Sequence, residues 1–114
     1  MDERLEKALD FGNYTVTFNN QKRLLTEKFY DDCIAYQGGG RFTLTREFLS
    51  YLSGLKNQKR AVIIDDNDLP VEINDLEEFC DNARSQYAEA ANQYFKSYKE
   101  MIANRKPGAL VGYV

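Results

Sequence analysis

The longest unbroken pattern of apolar and polar positions runs from Asn74 to Asn104, NDLEEFCDNARSQYAEAANQYFKSYKEMIAN, with no Gly or Pro inside it. Leu76, Cys80, Ala83, Tyr87, Ala91, Tyr94, Tyr98 and Ile102 recur at steps of three and four, which sets them on one stripe of a helix. Phe79, Ala90, Phe95 and Met101 widen the stripe. Asn74 is the predicted N-cap, with Glu77 three residues on completing a capping box. Acidic residues (Asp75, Glu77, Glu78, Asp81) open the pattern and basic ones (Lys96, Lys99, Arg105, Lys106) close it, as the helix dipole favours. Pro107-Gly108 stops it. Such a helix runs about 45 Å, longer than a domain of this size is wide, so its C-terminal turns are predicted to overhang the rest.

The upstream pattern predicts shorter elements. Asp2 to Asp10 reads as a short helix ended by Gly12, and Asn13 to Phe18, β-branched and aromatic in alternation, as a strand. Asn19-Asn20 reads as a turn. From Gln21 to Tyr36, the spacing of Leu25, Phe29, Cys33 and Tyr36 predicts a second helix ended by Gly38. A hairpin across the glycines, Cys33 to Gln37 with Arg41 to Thr45, is the alternative. Thr45 is placed to cap a helix from Arg46 to Leu55 that buries Phe48, Leu52 and Leu55. The strongest β signal follows: Ala61–Ile64 and Leu69–Ile73 around Asp65-Asp66-Asn67-Asp68, a second hairpin with Pro70 on an edge strand. The sum is a single α+β domain of residues 1–114, with an N-terminal segment (1–12) and a tail (107–114). It has a small β layer with the hairpin of residues 61–73 at its centre, two shorter helices and one long C-terminal helix.

Composition narrows the chemistry. The 114 residues include no histidine and no tryptophan. That removes Ser/His and Cys/His nucleophile activation and His-containing metal sites. No nucleophile motif stands in their place, and carboxylate pairs such as Asp31-Asp32 and Glu77-Glu78 read as solvated helix positions. The chain therefore reads as non-enzymatic, with no cofactor. Cys33 and Cys80 each sit in an apolar pattern and read as buried free thiols. The start, MDERLEKALDF, has no apolar run, so neither a signal peptide nor a membrane span is predicted and a cytoplasmic setting is expected.

As a set, the segments FGNYTVTFNNQKRLL, GGGRFTLTREFLSYL, AVIIDDNDLPVEINDLEEF and YAEAANQYFKSYKEM resemble a family of small proteins encoded by T4-like bacteriophages of marine cyanobacteria. The resemblance covers roughly Phe11 to Arg105. It implies a setting, an infected bacterial cell or the virion itself, and brings with it no activity and no functional residue.

Four constellations are left to weigh. Asp65, Asp66 and Asp68 supply oxygen ligands of the kind Ca²⁺ or Mg²⁺ takes, but the segment lacks the alternating ligands and distal Glu of an EF-hand. The turn-forming habit of Asp and Asn accounts for it better. Gly38-Gly39-Gly40 matches neither nucleotide-binding fingerprint and reads as a turn. Lys56, Lys59 and Arg60 form a basic loop, and Lys22, Arg23 and Arg41 with Tyr14, Phe18, Tyr30 and Phe42 offer cations and rings of the kind that bind single-stranded nucleic acid. A net charge of −3 argues against it. The overhanging stripe is the fourth. Exposed apolar area marks interfaces, and tyrosine is favoured there. Tyr87, Ala91, Tyr94, Phe95, Tyr98, Met101 and Ile102 are thus the candidate interface of a homo-oligomer, most simply a two-fold dimer, or of an unidentified protein partner. The tail, Ala109 to Val114, either docks on a partner or adds a strand to a sheet edge, or else is loosely packed.

Overall fold

The computed structural model describes residues 3–55 and 57–105, with side chains from residue 16 to residue 104 apart from residue 56. In chain order the elements are α1 (Glu3–Asp32), β1 (Ile34–Gln37), β2 (Gly40–Thr43), α2 (Arg46–Gly54), β3 (Ala61–Ile64), β4 (Pro70–Ile73) and α3 (Leu76–Arg105). This is an α+β protein with two antiparallel hairpins and a long C-terminal helix. Residues 29–92 form one compact unit, here called the body. The described residues of the other, the helical unit, are 3–28 and 93–105.

Two sequence readings need correcting. The predicted short helix from Glu3 on (Asp2 lies outside the described residues), the strand at Asn13–Phe18 and the turn at Asn19-Asn20 are all part of α1, a single helix as long as α3. The "TVTF" alternation is a period-2 signal only a few residues long. A longer register overrides it: Phe18, Leu25 and Phe29, seven and four residues apart, are all half-buried on α1. Gly12 is carried inside the helix, at a cost of about 1 kcal/mol relative to Ala. So the long C-terminal helix does not accompany two shorter ones. Nor does the hairpin of residues 61–73 sit at the centre of one β layer: β1-β2 and β3-β4 are separate two-stranded sheets.

Around Cys33 the hairpin alternative is the one found, with β1 and β2 paired from Ile34↔Thr43 to Gln37↔Gly40. Gly38 and Gly39 take φ of 57° and 82°, positive at both central positions as the tightest hairpin turns require. α1 ends just before, where the Cys33 amide reaches back to Phe29 and Tyr30 carbonyls. The Gln86 side-chain amide then donates to the carbonyl of Asp32 (3.0 Å), which the helix end leaves open, and to that of Ile34 at the start of β1 (2.7 Å).

The body's core is one cluster. Phe42, Leu52, Ile63, Ile73, Leu76 and Cys33 are fully buried, and Phe42, Phe48 and Phe79 pack ring on ring with centroids 5.4 to 6.4 Å apart. α2 starts as predicted, with Thr45 Oγ1 accepting from the Phe48 amide at 3.0 Å. α3 starts one residue later than predicted. Asp75, not Asn74, is the cap and accepts from the Glu78 amide at 3.1 Å, while the Leu76 amide is tied to the Lys59 carbonyl. Both cysteines are free and buried; burial, and next the Asp32 carboxylate, push the Cys33 thiol up, and the Cys80 thiol donates to the Leu52 carbonyl.

Gly40 shows how closely the hairpins approach. A Cβ there would lie 2.6 Å from Val71 Cγ2 and 3.1 Å from the Phe42 ring. Gly40→Ala is expected to destabilise the protein by about 1–3 kcal/mol through overpacking, measured by urea denaturation. Adding Val71→Ala should recover part of that loss, and a neutral Gly40→Ala would show that the contact is looser than described.

Candidate functional site

The acidic turn is a densely bonded polar cluster of the body. Asp65 is 5% exposed. One carboxylate oxygen accepts from the amides of Asn67 and Leu69 at 2.9 Å each, and the other from the Arg41 amide at 3.3 Å. Asp66 reaches the same strand: its carboxylate accepts from the Thr43 amide (3.1 Å) and hydroxyl (2.6 Å), and its own amide donates to the Arg41 carbonyl at 2.8 Å. Asp68 takes φ of 62° and completes the turn. The carboxylates are thus spent on backbone amides that join β2 to the β3-β4 turn. Among the described residues no cluster of three or more His, Cys, Asp or Glu side chains is arranged to hold a metal ion. Turn chemistry accounts for Asp65, Asp66 and Asp68. The three glycines likewise serve the hairpin turn and the approach of Val71.

The basic set is divided between the two units, with Lys22 and Arg23 in the helical unit and Arg41, Lys59 and Arg60 in the body. Lys56 lies outside the described residues and Lys59 is exposed. The Arg60 guanidinium stands 3.8 Å from Glu72, Arg41 3.8 Å from Asp66, and Arg23 2.9 Å from Glu27. Phe42 is 1% exposed and has no face to offer a base. The side chain of Tyr14 is outside the described residues.

The predicted interface divides into three groups. Tyr87 and Ala91 belong to the body, both half-buried, with the Tyr87 ring edge-on to Phe29 at 5.7 Å. In the helical unit, Tyr94 and Met101 turn toward α1: the Tyr94 hydroxyl is 3.1 Å from Thr26 Oγ1 and Met101 is buried. The overhang expected from helix length is therefore covered on this side. The cover comes from Leu25 and Thr26, which lie on the helix predicted from Gln21 and which α1 sets beside α3. Phe95, Tyr98 and Ile102 remain on another flank of α3. Phe95 is 62% exposed, with the Lys99 ammonium 5.3 Å from its ring centroid. Together with Ala103 they border a shallow apolar hollow. Between α1 and α3 on the far side, Gln21, Leu24, Leu25, Ser97, Glu100, Met101 and Asn104 line an open cleft of about 540 Å³.

Sequence reasoning missed two features. The cleft needed the pairing of α1 with α3, which no local pattern states. The other is the outer face of the second hairpin, where Val62, Ile64 and Leu69 are each more than half exposed while Ile63 is buried. The run AVII hides this alternation because all four residues are apolar.

No protein-family model, no curated protein and no solved structure matches this chain. Among the described residues no helix is long and apolar enough to cross a membrane.

The bonds to Asp65 have a pH signature. The Leu69 amide lowers the carboxyl's pKa most; burial opposes it, and the Arg41 and Asn67 amides add to the lowering. The stability this group contributes is complete above its unfolded value, about 3.9, and is lost as pH falls through the lower folded value. Asp65→Asn is expected to lower the urea midpoint at pH 7, with the gap to wild type narrowing in strong acid. A gap that stays constant with pH would mean that the charge on Asp65 contributes nothing.

Proposed function

We propose that the protein is a non-enzymatic interaction or assembly module that self-associates through the C-terminal turns of α3. The observation that carries this reading is Phe95, a large apolar ring left 62% exposed beside half-buried Tyr98 and Ile102 on a regular helix. Isolated exposed apolar residues are ordinary, but contiguous ones on a rigid element are typical of interfaces. The buried half of the stripe already fixes the helix in place, so the exposed half is held ready and loses little freedom on binding. The alternative, a nucleic-acid-associated or regulatory role for the basic loop, has less in its favour. Arg41 and Arg60 each stand near a carboxylate, and the chain is net acidic. The setting we propose is the infected bacterial cell that the phage resemblance implies.

Phe95→Glu and Tyr98→Glu are expected to reduce the solution mass, read by light scattering over a concentration series. Phe95→Glu, at an exposed position, should shift stability by no more than about 0.5 kcal/mol. A wild-type protein that stays monomeric at every concentration, with the variants indistinguishable from it, would sink the proposal.

A further inference from the structure

We infer that copies of this chain join head to tail, the Phe95 knob of one seated in the α1–α3 cleft of the next; this rests on the self-association just proposed. At about 100° per residue, Tyr98, Lys99, Ile102 and Ala103 all lie within about 80° of Phe95 around α3. Ser97, Glu100 and Asn104, which line the cleft, lie about 140° to 180° away. Knob and cleft therefore occupy opposite flanks of the same helix pair.

A two-fold interface uses one self-complementary patch on both copies. Knob against knob would bring two Lys99 ammonium groups into one apolar contact. Knob into cleft instead brings Lys99 of one copy to Glu100 of the next, and Glu100 has no ion-pair partner among the described residues. Shapes agree as well as charges. The knob is an exposed ring with an aliphatic neighbour, and the cleft is lined by apolar Leu24, Leu25 and Met101 together with polar Gln21, Ser97, Glu100 and Asn104. Because each copy carries both halves on different flanks, the contact is heterologous and propagates as a filament or closes as a ring.

Complementation tests this directly. Phe95→Glu disables the knob and leaves the cleft; Leu24→Glu, at a residue 55% exposed, disables the cleft and leaves the knob. Each variant alone should be monomeric with a wild-type circular dichroism spectrum. An equimolar mixture should form a one-to-one complex and nothing larger, read by light scattering. Lys99→Glu and Glu100→Lys should each weaken wild-type assembly severalfold, and the double variant should restore it. A mixture that stays monomeric overturns the inference, as does a Leu24→Glu variant that assembles like wild type. A wild-type protein that stops at a closed two-fold dimer also overturns it while leaving self-association intact. A wild-type monomer at all concentrations removes both.

Discussion

The body depends on two carboxylates donated by a turn to a neighbouring strand edge. β1-β2 and β3-β4 are each only two strands wide, and an isolated hairpin of that kind is marginal in water. Asp65 and Asp66 reach across and take the amides of Arg41 and Thr43, doing for β2 what a third strand would otherwise do. With that edge satisfied, Phe42 and Val71 can be pressed together, and α2 and α3 close over the aromatic cluster. Remove the bonds and Arg41 and Thr43 would present unpaired amides next to the core.

Much of the body could be read from the chain because its signals are local and agree. Thr45 marks a helix start, Gly38-Gly39 demands a turn with positive φ, and AVII–DDND–LPVEI states its own hairpin. The helical unit was harder. Residues 13–18 carry a short alternating pattern that points to a strand, and only a partner helix makes the longer register decisive. That partner is supplied by residues 93–105, at the other end of the chain, so no window over the first thirty residues contains the deciding fact. The candidate surface was half legible for the same reason. Tyr87, Ala91, Tyr94, Phe95, Tyr98, Met101 and Ile102 are indistinguishable as a stripe, and only the position of α1 separates Tyr94 and Met101 from Phe95.

The outer face of β3 makes a related point about apolar runs. Ile63 and Val62 are neighbours of similar character, yet one belongs to the core and the other to solvent. Which of them is inside follows from the pleat and from the side on which the core lies. The exposed members are then free to be used, or merely tolerated, and hydrophobicity alone does not distinguish the two.

The order of the elements along the chain also has a consequence for synthesis. The helical unit is assembled from the first and last described segments, with the body, residues 29–92, made in between. As the chain leaves the ribosome, Thr26 of α1 emerges well before its partner Tyr94 on α3. A helix with an internal Gly12 and a β-prone TVTF segment has little propensity to hold itself together in the interval. The Thr26–Tyr94 contact, spanning 68 residues, forms only once the body is complete. The two halves of the helical unit can therefore meet only after residues 29–92 have been made, and a surface that depends on their pairing arises no earlier.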